Sequence, residues 1–155
     1  MTSALDIDDK IAHRGLHMNN AEKLGRYVKD VNILHEKFIS FIRHISTINS
    51  KSEGRIPLTI LNFEDSDSNH SNKYKFTFLR DEYRMKFKPV YYKGDLFGKI
   101  NFYYNHDKHS ASLLSIYFDR LGNSGHSIDN LRHVVSEQND AYELIVTALL
   151  KRLDA

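Results

Sequence analysis

Cationic and aromatic residues alternate in the middle of the chain. From Lys73 to Phe78, and again from Tyr83 to Lys88, apolar side chains alternate with lysine, arginine or threonine. Successive side chains of a β-strand point to opposite faces, so this pattern predicts strands with one apolar and one cationic face. Cations bind phosphates whatever the base sequence, and exposed tyrosines offer stacking surfaces to unpaired bases. The predicted chemistry of this face is therefore the binding of an anionic macromolecule.

The local charge supports the same interpretation. Residues 73–99 carry eight basic and three acidic side chains, a local balance of +5, whereas the whole chain has a net charge of +2. The alternative is that the lysines only keep an exposed sheet soluble and block pairing at its edges. Tyr117 and one of Tyr91 and Tyr92 are further candidates for the binding face. The residues predicted to form it are Lys73, Lys75, Arg84, Lys86, Lys88, Lys99 and Tyr103.

Nine histidines raise the question of a metal site. His13 and His17 have the spacing of one helix face, and His106 and His109 flank Asp107 in a polar segment. A zinc or iron site needs several ligands that converge, with partners that orient them. The chain has no cysteine, and the two histidine pairs lie about ninety residues apart. We therefore predict no metal site and no cofactor.

Other residues with catalytic potential lack a recognisable arrangement. His35, His44 and His133 fall on or beside apolar helical stripes, where histidine more often packs at a boundary than acts as a base. Residues 122–125 (Gly-Asn-Ser-Gly) match neither phosphate-binding glycine motif and are predicted to be a plain strand-to-helix turn. No catalytic residue is assigned, and we do not predict an enzyme.

A heptad pattern predicts the first element that must position these residues. We expect a helix over residues 20–49, which Asn19 and Glu22 can begin as a capping box. Val28 and Ile42 widen its apolar stripe, which favours packing on the protein's own sheet over a coiled coil alone. One end of this long helix could still reach into a homodimer contact. The apolar positions alternate in steps of three and four: Leu24, Tyr27, Val31, Leu34, Phe38, Phe41, Ile45 and Ile48.

Strands and a second helix are predicted to follow. Period-two alternation predicts antiparallel strands over 56–63, 73–79, 83–92, 96–104 and 112–118. Apolar positions after residue 127 predict a C-terminal helix over 127–153, with a second capping box at Asp140 that would allow a kink. We expect Phe76, Phe78, Phe87, Ile100, Phe102 and Phe118 to be buried against Leu34, Phe38, Phe41, Ile45 and Leu149.

The predicted fold class is α+β. A long N-terminal helix, a four- to five-stranded antiparallel β-meander and a C-terminal helix follow one another, with both helices on one face of the sheet. Residues 1–18 are predicted to be a loose N-terminal arm, or else a short helix, and residues 19–155 a single domain. No apolar run is long enough to span a bilayer, and the N-terminus is acidic rather than a signal peptide. With the lack of cysteine, these features favour the cytoplasm and no membrane partner.

Three functional hypotheses remain open. The first is a non-enzymatic binding or regulatory module whose basic face contacts nucleic acid. The second is a protein-binding antagonist or adaptor, of the immunity-protein, antitoxin or secretion-chaperone type, that recognises an acidic protein surface. The third is a His-dependent hydrolase that uses His106, Asp107 and His109, since histidine pairs can cleave RNA by acid–base catalysis.

Overall fold

A computed structural model describes residues 10–63, 72–104 and 114–154 of the chain. Residues up to Asn32 form one compact unit, and Ile33–Ala155 form a second, which contains every strand. No helix in the described ranges is both long and apolar enough to cross a membrane. His106 and His109 lie outside the described residues.

The first helix, α1 (Lys10–Ile45), confirms the predicted long N-terminal helix but has different ends. It begins about ten residues before the expected capping box, so residues 10–18, predicted to belong to the arm, are helical. It stops at Ile45 because the Thr47 hydroxyl donates a hydrogen bond to the His44 carbonyl, 2.7 Å away, and so competes with helical bonding. A separate turn of helix, α2 (Ile48–Lys51), follows.

Five predicted strands are found, and their ends agree with the predictions to within two residues wherever the structure describes them; the predicted start at residue 112 lies outside the described residues. They form a meander in which each strand pairs antiparallel with the next along the chain. Lys93 and Gly94 form the turn between two of them, and both residues have positive φ, as a tight hairpin turn requires. The strands are β1 (Leu58–Phe63), β2 (Lys73–Phe78), β3 (Asp81–Tyr92), β4 (Asp95–Tyr104) and β5 (Leu114–Phe118).

The prediction of four to five strands was wrong, because the sheet formed by the described residues has seven strands and curves into a half-barrel. The additional strands are β6 (Asn123–Gly125) and β7 (His133–Val134). Residues 122–125 were predicted to be a plain turn into a helix, but three of them pair with β5 and β7. Strands of three and two residues are too short to show alternation, so their pairing depends on the preceding sheet.

The C-terminal helix is also shorter than predicted. The helix α3 spans Gln138–Asp154 as one continuous element, so the predicted start at residue 127 was wrong. The Val135 amide instead donates to the Gly122 carbonyl, 2.8 Å away, and the Asp140 carboxylate accepts from the Val134 amide at 2.7 Å. These bonds fix the segment before α3 against the sheet and prevent it from continuing the helix.

The core lies between the sheet and the two helices, as predicted. The Phe38 ring stacks on Phe87 with centroids 5.2 Å apart and meets Tyr74 edge-on at 5.6 Å. Phe78 is the exception to the predicted core: it is half-buried, because it ends β2 next to the β2–β3 turn. Ten predicted core residues are buried: Leu34, Phe38, Phe41, Ile45, Phe76, Phe87, Ile100, Phe102, Phe118 and Leu149.

Gly98 allows the sheet to pack this closely. The ring of Phe118, on the neighbouring strand, lies over Gly98, and a Cβ atom at that position would overlap the ring. A side chain at Gly98 would therefore displace Phe118 from the core.

Candidate nucleic-acid interface

The strand register places the predicted cations on the face of the sheet opposite the helices. Lys73 of β2 lies directly across from Lys86 of β3, and Lys75 lies across from Arg84. The intervening residues of β2, including Tyr74, are buried in the core. Alternation therefore directs the four cations away from the core, as predicted.

The next strand extends the same surface. Lys88 of β3 lies across from Lys99 of β4, and Arg84 lies across from Tyr103. All seven predicted residues thus share one face, and we call this set the basic face. Its members are Lys73, Lys75, Arg84, Lys86, Lys88, Lys99 and Tyr103.

Three of the cross-strand pairs on the basic face carry like charges. These are Lys73–Lys86, Lys75–Arg84 and Lys88–Lys99. Directly opposed residues in an antiparallel sheet have Cβ atoms about 4.5–5.5 Å apart, and like charges at that spacing destabilise the sheet. Lysines that served only to keep a strand soluble would not need to face each other. The arrangement therefore concentrates positive charge on this face at some cost to folding.

Cations of the basic face also contact two tyrosines: Tyr103 within the face, and Tyr117 on the neighbouring strand β5. The guanidinium carbon of Arg84 lies 5.8 Å from the centre of the Tyr103 ring. The Lys99 ammonium lies 5.4 Å from the ring of Tyr117, its cross-strand neighbour on β5. Both rings are half-buried, so each keeps part of its surface open to solvent. The face therefore offers two aromatic surfaces that are already associated with cations.

A polar floor separates these two rings. Asn101 of β4 is only 6% exposed, although it lies on the solvent side of the sheet. The Ser115 hydroxyl donates to its side-chain oxygen at 2.6 Å. The Nε atom of Arg84 is also buried and makes no hydrogen bond. The basic face thus has a buried polar floor between the two rings, next to exposed Lys86 and Lys88.

The two other tyrosines predicted as candidates lie elsewhere. Tyr92 lies at one end of this face, where its hydroxyl donates to the Asp129 carboxylate at 2.5 Å and Lys93 covers its ring. Tyr91 points to the opposite face, across from Leu96. Tyr117 is the candidate that the register brings next to the predicted cations.

The described histidines do not form a catalytic or metal site. No group of three potential metal ligands occurs among the residues that the structure describes. The Nδ1 atom of His133 lies 3.4 Å from the Asp140 carboxylate, and Ser124 is its cross-strand neighbour. This resembles part of a nucleophilic triad, but Ser124 is fully buried and its hydroxyl makes no hydrogen bond to His133. A substrate could not reach it, and no base activates it.

His35 and His44 are boundary residues, as predicted. The His35 ring contacts the rings of Phe38 and Phe87, with centroids 6.1 and 5.7 Å away. The Nε2 atom of His44 donates to the Ser136 carbonyl at 2.8 Å. Their side chains link the helix α1 to the sheet and to the segment before α3.

An apolar groove beside α3 is a weaker candidate for a binding site. Its volume is about 190 Å³, below the roughly 300–1,000 Å³ of typical small-molecule sites. It is lined by Arg55, Ile56, Phe78, Val146, Leu149 and Leu150.

Comparison with protein-family models, with curated proteins and with solved structures finds no significant match.

Proposed function

We propose that this protein is a non-enzymatic binding module whose basic face contacts nucleic acid. The observation that carries the proposal is the set of three like-charged cross-strand pairs. Because like charges directly opposite one another oppose folding, an anionic partner that contacts both members of a pair would offset part of this cost. Phosphates fit this role, since each one can neutralise a lysine or arginine and release its counterion.

The tyrosines favour nucleic acid over an acidic protein surface. Tyr103 and Tyr117 lie beside Arg84 and Lys99, where a base could stack on either ring. An acidic protein of the kind recognised by an antagonist or adaptor remains the alternative partner. The cytoplasm, where both kinds of partner occur, remains the predicted location.

Reversing one charge in each like-charged pair tests the proposal. In the variant K75E/K86E/K99E, each substitution turns a like-charged pair into an oppositely charged one. Opposite charges across strands stabilise a sheet by about 0.2–1 kcal/mol per pair, which offsets the lost contact of Lys99 with Tyr117. We expect the melting temperature to stay the same or rise, while binding to oligonucleotides in about 50 mM salt is abolished.

A second triple variant provides the matched control. Arg26, Lys29 and Lys51 are exposed and lie outside the basic face, and R26E/K29E/K51E changes the net charge by the same amount. Fluorescence anisotropy should show near wild-type binding for this control. If the wild-type protein does not bind DNA or RNA at all, the proposal is wrong. The variant K75E/K86E/K99E can then be used to test capture of an acidic protein.

A further inference from the structure

The basic face is divided into a cationic half and an aromatic half. The strands β2 and β3 carry five of its six cations, with only Lys99 on β4. The strands β4 and β5 carry the aromatic and polar side chains of the same face. Phe97 and Tyr103 lie on β4, and Tyr117 lies on β5. Neighbouring strands lie about 4.8 Å apart, so the two halves are side by side.

This division matches the two sides of a single nucleic-acid strand. A nucleotide presents its phosphate on one side and, when unpaired, its base on the other. The two halves are one or two strand spacings apart, about 5–10 Å. A phosphate over β3 could therefore have its base over β4 or β5. In a duplex the base faces are already stacked on one another, so only unpaired bases can use flat aromatic platforms.

The two tyrosines are placed to stack different bases. Tyr103 lies directly across from Arg84, whereas Tyr117 lies directly across from Lys99, which precedes Tyr103 on β4 by four residues. At about 3.4 Å per residue the rings are about 14 Å apart along the sheet. Between them lies the polar floor of Asn101 and Ser115. The Asn101 oxygen already accepts from Ser115, so a base that meets this floor would accept a hydrogen bond from the Asn101 amide nitrogen.

We propose that a single strand lies along the sheet with its phosphates over β2 and β3 and its bases over β4 and β5, with Tyr103 and Tyr117 each stacking one base. This inference rests on the proposed nucleic-acid function and adds the form of the ligand and its orientation. Arg84 and Lys99 position the two rings and supply charge beside them.

Oligonucleotides with and without bases test the inference. An eight-nucleotide strand and an abasic strand of the same length carry the same phosphates, so only stacking distinguishes them. We expect Y103A and Y117A each to weaken binding of the normal strand by about 5- to 150-fold, the range measured for loss of one stacked base. Binding of the abasic strand, which is weaker, should not change in either variant.

Two control variants accompany Y103A and Y117A. Y103F/Y117F keeps both rings and should bind the normal strand like the wild type, because stacking requires the ring and not the hydroxyl. Y91A removes a tyrosine that is 67% exposed on the opposite face and should not change binding. Together they separate stacking from general effects of losing a tyrosine.

The outcomes distinguish this inference from the proposed function. If wild-type protein binds normal and abasic strands equally well, the division into halves is wrong, but the basic face remains an anion-binding surface. The same holds if Y103A and Y117A weaken both ligands equally. If neither strand binds in about 50 mM salt, both the inference and the proposed function are wrong.

Discussion

At the scale of single residues, His126 has an environment that affects stability. It follows β6 directly, and both of its ring nitrogens are buried without a hydrogen bond. Burial lowers the pKa of His126, and electrostatic interaction with His133 and Lys151 lowers it further. The Ser115 carbonyl, which neither nitrogen reaches with hydrogen-bond geometry, raises the pKa by less. The folded protein therefore favours the neutral imidazole.

This preference predicts a loss of stability in mild acid. Above the unfolded-state pKa of about 6.5 the ring is neutral in both states and has no effect. As the pH falls below that value, the unfolded chain takes up a proton that the folded chain resists, so the free energy of unfolding decreases. The decrease continues until the pH reaches the lowered folded-state pKa. For one group it cannot exceed about 1.4 kcal/mol per pH unit.

The variant His126→Gln tests this effect. Urea denaturation at pH 7.0 and 5.5 should show a smaller loss of unfolding free energy for the variant than for the wild type. The comparison uses a range above the usual pKa of most carboxylates, which are common to both proteins. Equal losses would mean that His126 does not contribute to the acid sensitivity.

At the scale of elements, the sequence predicts what has a visible period. The strand β3 has a clear period-two alternation, and the helix α1 has a clear heptad pattern. Both predicted elements are found, although α1 begins earlier than expected. The strands β6 and β7 have only three and two residues, and Asn123–Gly125 contains no residue that favours strands. The apolar residues Val134 and Val135 fit a helical stripe equally well, and only their bonds to Asp140 and Gly122 exclude it.

The candidate site could be predicted for the same reason. A shift of one residue in any strand would have turned its cations into the core, so alternation alone specified the shared face. Alternation did not show which cations lie opposite one another, because register depends on the turns. The contact of Lys99 with Tyr117 depends on the pairing of β4 with β5, across a connection whose length does not fix the register.

The first unit contains an apolar helical stripe that a second copy of the chain could cover. Leu24 is 64% exposed and Val28 is 49% exposed. With the seven heptad positions lettered a to g, Leu24 and Val31 occupy the apolar position a. Lys23 and Asp30, each one residue earlier, therefore occupy position g. In an antiparallel pair of helices the g positions face each other, and Lys23 would meet Asp30 of the second copy at both ends. We therefore expect a weak antiparallel homodimer.

Charge exchange tests this geometry. K23E and D30K should each be monomeric, because each places like charges together twice in a homodimer. An equal mixture of the two variants should form a heterodimer, since each g position then faces a residue of opposite charge on the other chain. K29E changes an exposed residue outside the stripe and should dimerise like the wild type. A wild-type protein that stays monomeric at all concentrations in sedimentation equilibrium would contradict the predicted homodimer.

At the scale of the whole molecule, the distribution of charge has more consequence than its total. Residues 73–99 carry a balance of +5, so the remainder of the chain, at a net charge of +2, carries −3. A partner with uniform negative charge is attracted to the basic face and repelled from the rest. For the proposed nucleic-acid partner, we expect this separation to orient the approaching strand and to raise the association rate at low ionic strength.

The salt dependence of binding should count the phosphates on the basic face. For single strands, the logarithm of the affinity falls with the logarithm of the salt concentration by about 0.7 for each phosphate neutralised. Six cations therefore predict a slope of up to about −4. Lys88 is exposed on β3, and Lys88→Gln should make the slope shallower by about 0.7. Y103A should lower the affinity but leave the slope unchanged, because stacking releases no counterion. Anisotropy titrations between about 50 and 200 mM salt measure both quantities. If Lys88→Gln leaves the slope unchanged, Lys88 does not contact a phosphate. The phosphate-binding part of the basic face would then exclude Lys88.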